Sequence, residues 1–290
     1  MVPLVDSLSE IADRYDALFC DLWGCVHDGV RSYPEAIDAL CAFRAKGGKV
    51  VLLTNAPRPR AGVERQLEAL GVPPDCWDTI STSGDSARVA MFRGVIGDRV
   101  WFMGQDHDLP FFEPPAIVPD PVDLRLVELK DATGIACLGP FDAHADPSVN
   151  RPDFLHAKQR GLKLLCANPD MVVDRGDSRE WCAGALAQLY ADMGGESLYF
   201  GKPHPPVYAL ARERLTQIGT QVPDERILCI GDGIQTDVRG ALGEDLDSLF
   251  VTGGLAREQT ATSRQPEQDA LDTFIAEARL TPTYAIGYLR

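Results

Sequence analysis

At 290 residues the chain is long enough for about two domains on the usual span of ~100–200 residues each. Apolar residues make up 45% and charged residues 24%, an ordinary globular profile that excludes fibrous and disordered classes. The 28 basic against 43 acidic residues give a net charge of −15, which argues against a nucleic acid or an anionic membrane as partner, and no basic patch offsets it.

The eight cysteines form no Cys-x-x-Cys, and Cys20, Cys137, Cys166 and Cys229 sit inside apolar runs, which reads as buried free thiols. The first 16 residues carry Asp6, Glu10, Asp13 and Asp16 and lack the basic-then-apolar pattern of a signal peptide. No apolar run approaches the ~18 residues of a membrane helix. A cytoplasmic protein is expected.

Residues 6–14 suggest a short capped helix. Ala17-Leu18-Phe19-Cys20 then reads as a buried strand that ends abruptly in Asp21, before Gly24 and Gly29 loosen the backbone. Pro34 opens a helix that Gly47-Gly48 stop, and Lys49-Val50-Val51-Leu52-Leu53 is a second buried strand ending in Thr54-Asn55. Strand, helix, strand implies a parallel pair with Thr54 and Asn55 on the same edge as Asp21. A helix near 61–70, a strand at Thr79–Thr82 and a helix from Gly84 to about Phe92 follow.

The pattern then restarts. Strand-like runs at 99–104, 133–139 and 163–168, with helical segments between them, suggest a separate α/β unit, and the prolines from Pro110 to Pro121 mark a loop inside it. Glu180 to Met193 reads as one helix. Lys202 lies in a loop before a helix ending near Gln217, and Arg226–Gly231 is a buried strand that ends in Asp232, with Asp237 five residues on at a helix start. Residues 249–254 read as a last core strand, with a helix near 267–278 after it.

Asp21, Thr54-Asn55, Lys202, and Asp232 with Asp237 make a chemical set. Carboxylates at neighbouring strand ends can share a Mg²⁺ ion, a lysine and a hydroxyl can hold a transferring phosphoryl group, and an aspartate can attack it. Each motif also has a plainer reading as a turn or a helix cap.

In order and spacing these motifs resemble the haloacid dehalogenase superfamily, and the long insertion between Thr54 and Lys202 is similar to the large α/β cap of its NagD-like branch. The resemblance implies a Rossmann-like parallel-sheet core over 1–85 and 200–290 with an inserted α/β cap over 86–199. It also implies a Mg²⁺-dependent phosphatase of small phosphorylated metabolites, working through an aspartyl-phosphate; a homodimer is compatible, since caps of this type often pair. Asp21 would be nucleophile and metal ligand, with the Trp23 carbonyl and Asp232 completing the metal's protein ligands. Thr54, Asn55 and Lys202 would bind phosphate, Asp237 would orient Lys202 or a metal-bound water, and Asn168 and Asp170 would face substrate from the cap.

One position departs from the family pattern. Where family phosphatases carry a second aspartate, two residues after the nucleophile, this chain has Trp23, whose indole cannot exchange protons in catalysis. His27 and Asp28, four and five residues beyond Trp23 in a flexible turn, read first as exposed residues, and the alternative is that one of them reaches in to supply the acid. Three functions stay open: a phosphatase, a catalytically weak or inactive ligand-binding or regulatory protein, and chemistry on bonds other than phosphomonoesters.

Overall fold

The structure, a computed structural model, describes residues 1–175 and 178–290. Its strands are β1 (Ala17–Cys20), β2 (Lys49–Thr54), β3 (Thr79–Thr82), β4 (Arg99–Met103), β5 (Arg125–Leu126), β6 (Gly134–Cys137), β7 (Lys163–Cys166), β8 (Val172–Arg175), β9 (Ser178–Trp181), β10 (Glu196–Tyr199), β11 (Ile227–Gly231), β12 (Asp247–Val251) and β13 (Tyr284–Ile286). The helices are α1 (Pro34–Ala45), α2 (Arg60–Ala69), α3 (Ser83–Phe92), α4 (Arg151–Gln159), α5 (Ala183–Asp192), α6 (Pro205–Gln217), α7 (Arg239–Gly243) and α8 (Gln268–Ala278). Among the described residues no helix is long and apolar enough to cross a membrane.

The chain divides into two compact units. The first comprises residues 1–54, 61–81 and 202–290, and the second comprises 55–60 and 82–201. The short piece 55–60, read from the sequence with the first unit, belongs to the second because of local hydrogen bonding. Ser83 Oγ donates to the carbonyl oxygens of Asn55 and Ala56, and Thr82 Oγ1 donates to that of Arg58.

In the first unit a six-stranded sheet runs in the order β13-β12-β11-β1-β2-β3. Strand β1 is buried along its whole length and pairs in parallel with β2 on one side and β11 on the other. Both faces of such a strand are covered, which is why its residues are apolar without alternation. Cys20 stands level with Leu52 and Ile230, so Asp21, Thr54 and Asp232 all leave the sheet at its carboxyl edge. The chain runs outward from β1 on both sides, and in open α/β sheets ligands bind at such a switch point. Helix α6 covers one face, burying Val207, Tyr208, Ala211 and Leu215 against Phe19, Val51 and Cys229.

The second unit has its own parallel sheet, β10-β7-β6-β4-β5, with Phe154 of α4 and Leu186 and Tyr190 of α5 packed on Ile135, Leu164 and Cys166. Strands β8 and β9 form an antiparallel hairpin.

Three elements differ from the sequence reading. The stretch 6–14 forms two short 3₁₀ turns, Leu8–Glu10 and Ala12–Arg14, rather than one helix. The residues from Glu180 do not begin a helix: Glu180 and Trp181 pair with Val173 and Val172, and α5 starts only after Cys182. The sheet of the first unit does not end at β12, because Tyr284–Ile286 adds a further parallel strand.

Candidate active site

The turn after β1 is held by one carbonyl. Leu22 O accepts from the backbone N–H groups of Cys25, Val26 and His27, and Gly24 N donates to His27 O at 3.0 Å. Gly24 takes φ +71°, a left-handed conformation that suits glycine. This turn carries the Cys25 thiol and the Asp21 carboxylate into one buried cluster.

Four charged side chains meet there, each less than a tenth exposed: Asp21 7%, Lys202 2%, Asp232 6% and Asp237 6%. Lys202 Nζ lies 2.6 Å from Asp21 Oδ1 and 2.7 Å from Asp237 Oδ1. Asp237 is fixed in turn, since its Oδ2 accepts from Gly233 N and Thr236 Oγ1, both at 3.1 Å. It stands in a single π-helical turn, Ile234–Val238, a geometry frequent at functional sites. Asp232 Oδ2 accepts from Leu255 N at 3.0 Å, and its carboxylate fills the spaces where a Cβ would stand on Gly24 or Gly254.

The electrostatics follow from burial. Desolvation pushes the Asp21 carboxyl up to about 7, although the Lys202 ammonium pulls the other way. Burial, reinforced by Asp21 and Asp237, holds Asp232 well above the usual carboxylate range. Burial alone would lower the Lys202 ammonium, but Asp21 and Asp237 overcome it and raise it. Ionising all three carboxylates against one ammonium would bury an excess of negative charge, which is costly without a further cation. Ligand atoms of Asp21, Cys25 and Asp232 lie within 4.8 Å of one another. A divalent cation fits this donor set.

Trp23 and His27 form the outer wall of the turn. The indole is 38% exposed, and its six-membered ring occupies the space a Cβ on Gly29 would need. It meets His27 edge-on, ring centroids 5.2 Å apart. His27 is not the exposed residue expected from its flexible-looking turn, because it is completely buried. Its Nδ1 accepts from Gly29 N at 3.1 Å, so a neutral ring carries its proton on Nε2, which has no hydrogen-bond partner among the described residues. Burial lowers its pKa to about 4. Asp28 is exposed, as expected, and accepts from Val30 N and Arg31 N; these bonds hold its carboxyl below the usual range.

The other sequence candidates divide between the units. Thr54 closes β2 in the first, on the edge that carries Asp21. Asn55, Asn168 and Asp170 cluster in the second: Asn55 Nδ2 donates to Asp170 Oδ1 at 3.0 Å, and Asp170 N donates to Asn168 Oδ1 at 3.0 Å. The sequence reading missed Cys25, although its place four residues after Asp21 was a usable signal. It also missed Gly254 and the Leu255 N–H, which nothing local in the sequence links to Asp232.

Comparison with known proteins identifies the family. Residues 18–113 match the haloacid dehalogenase-like hydrolase family, and residues 199–278 match a HAD-hydrolase-like family. The crystal structure of a haloacid dehalogenase-like family hydrolase from Brucella suis 1330 is 38% identical, with TM-score 0.82, covering 99% of this chain and 100% of that one. The chain belongs to the haloacid dehalogenase-like family.

Within the haloacid dehalogenase-like family it falls in the NagD-like branch. Ribonucleotide monophosphatase NagD of Escherichia coli K12 is 23% identical over 246 residues, covering 82% of this chain and 88% of that protein. Dihydroxyacetone phosphatase of Corynebacterium glutamicum strain R is 32% identical over 97 residues, which span only 33% of this chain and 34% of that protein.

Proposed function

We propose that the protein is a Mg²⁺-dependent phosphatase of small phosphorylated metabolites, with Asp21 as nucleophile. The observation that carries this reading is the buried cluster in which Lys202 bridges Asp21 and Asp237 while Asp232 adds a further carboxyl group. An Asp21 oxygen bonds to phosphorus as the ester P–O bond breaks; water then attacks phosphorus, the bond to Asp21 breaks, and inorganic phosphate leaves. Lys202, Thr54 and the Asn55 backbone hold the phosphoryl oxygens, and Asp237 keeps the Lys202 ammonium in place. The Asp21 and Asp232 carboxylates and the Trp23 carbonyl would hold Mg²⁺, which supplies charge neutralisation for nucleophile and phosphate when bound. Asn168 and Asp170 contact substrate from the inserted residues 86–199, acting as a cap.

The leaving group must depart without a proton from position 23. Neither neighbour replaces the missing acid in this reading: His27 is neutral and buried, and Asp28 is an exposed carboxylate already engaged by backbone donors. Activated phosphates are therefore the substrates. The eight free cysteines support a reducing, cytoplasmic setting. A homodimer belongs to the same reading and is checked by light scattering.

The test is a panel of aryl, acyl and alkyl phosphates assayed with and without Mg²⁺, beside Asp21→Asn. Turnover that needs Mg²⁺ and vanishes in Asp21→Asn supports the enzyme. Trp23 favours one alternative, a non-catalytic phosphate-binding protein. Binding of Mg²⁺ and phosphate with no turnover of any ester would establish it.

A further inference from the structure

The mechanism leaves Cys25 without a task. Its thiol is 1% exposed, and the described residues give it no hydrogen-bond partner, whereas the neighbouring Cys20 thiol donates to Asp21 O. The Cys25 sulfur lies within 4.8 Å of a carboxylate oxygen of both Asp21 and Asp232. Mg²⁺ takes oxygen ligands, so a sulfur at this point adds nothing to its binding. Zinc and its heavier congener bind thiolate, imidazole and carboxylate together, commonly in four-coordinate sites.

We infer that this site also takes a thiophilic divalent cation of the zinc class, with Cys25 Sγ, Asp21 and Asp232 as its protein ligands, in competition with Mg²⁺. The inference rests on the reading that Asp21 and Asp232 hold a divalent cation. Coordination replaces the thiol proton, which passes to solvent, and no electron changes hands. Two glycines support a built site. A Cβ on Gly24 or on Gly254 would stand 2.0 Å from Asp232 Oδ2, so the carboxylate reaches its place only because both positions lack one.

The test titrates Cd²⁺ into the metal-free full-length protein and follows the ultraviolet thiolate-to-metal charge-transfer band, with Mg²⁺ binding measured separately by calorimetry. Wild type should develop the band at one equivalent, and excess Mg²⁺ should suppress it. Cys25→Ser should lose the band while still binding Mg²⁺, which also shows that the variant folds; Cys25→Thr is the second variant if serine does not. Asp232→Asn should weaken both metals. A band of equal size in Cys25→Ser, or no band in a wild type that binds Mg²⁺, overturns the thiol ligand alone. Absence of both metals from wild type overturns the underlying divalent site.

Discussion

Asp232 and Gly254 are interlocked: the Asp232 Oδ2 oxygen occupies a point 2.0 Å from where a Cβ on Gly254 would stand. The backbone beyond Gly254 also donates to that oxygen, through Leu255 N. The glycine therefore acts on the carboxylate through the space it leaves free. Gly254→Ala should push Asp232 aside and weaken Mg²⁺ binding by about 10–100-fold in calorimetry, the usual range for a residue supporting a metal ligand. Gly243→Ala, where an added Cβ meets nothing within 4 Å, should leave it unchanged.

Lys202 is the cation on which two buried carboxylates depend. Lys202→Met keeps the apolar stem but removes the ammonium that lies 2.6 Å from Asp21 Oδ1 and 2.7 Å from Asp237 Oδ1. We predict a loss of about 10²–10³ in kcat/KM, as for other fixed groups that stabilise developing charge. In the metal-free protein the same change should cost about 3–5 kcal/mol in urea unfolding, because it strands buried charge. Full retention of kcat/KM would remove Lys202 from the reaction.

On the proposed reading, Trp23 makes the leaving group decisive. Aryl and acyl phosphates should turn over much faster than alkyl phosphates, since an alkoxide leaves poorly without an acid, a contribution of about 10²–10⁴ where such an acid is present. Trp23→Asp should raise the alkyl rate and narrow that gap. Equal alkyl and aryl rates in wild type, with chemistry rate-limiting, would end the idea of a missing acid.

His27 gives stability a pH dependence of known sign. Burial lowers its pKa to about 4 from an ordinary value of about 6.5, so between these values the unfolded chain binds more protons than the folded one. Stability should therefore rise with pH across that window, by up to about 1.4 kcal/mol per pH unit from this group. His27→Phe should flatten the profile there and leave it unaltered above about pH 7. Urea midpoints of both proteins from pH 4 to pH 8 provide the check.

Much of the first unit is legible in the sequence because its strands are covered on both faces. Ala17–Cys20 and Ile227–Gly231 announce themselves as apolar runs broken by a carboxylate, and that break coincides with the sheet edge. The nucleophile candidate follows from the same signal, whereas Lys202 does not, since the strand before it, β10, belongs to the sheet of the second unit. What stays hidden depends on contacts distant in the chain. Glu180-Trp181 has no pattern of its own that separates a hairpin strand from the first turn of α5, and only its pairing with Val172-Val173 decides. His27 directly precedes Asp28 and Gly29 and so resembles an exposed turn residue, yet the Trp23 ring and the fold of the turn bury it. Strand β13 is three residues long and gains its place from β12.

The position of β1 between β2 and β11 also has a consequence for synthesis on the ribosome. Its β2 edge can pair as soon as Lys49–Thr54 emerges, but its other edge waits for Ile227–Gly231, after the whole of residues 82–201 has been made. Throughout that interval an apolar strand keeps an open side, the kind of edge that recruits other chains. Asp21 likewise cannot be buried at acceptable cost before Lys202 arrives. The cluster of Asp21, Lys202, Asp232 and Asp237 is therefore among the last parts to be completed, and a nascent chain halted before Gly231 should need a chaperone to stay soluble.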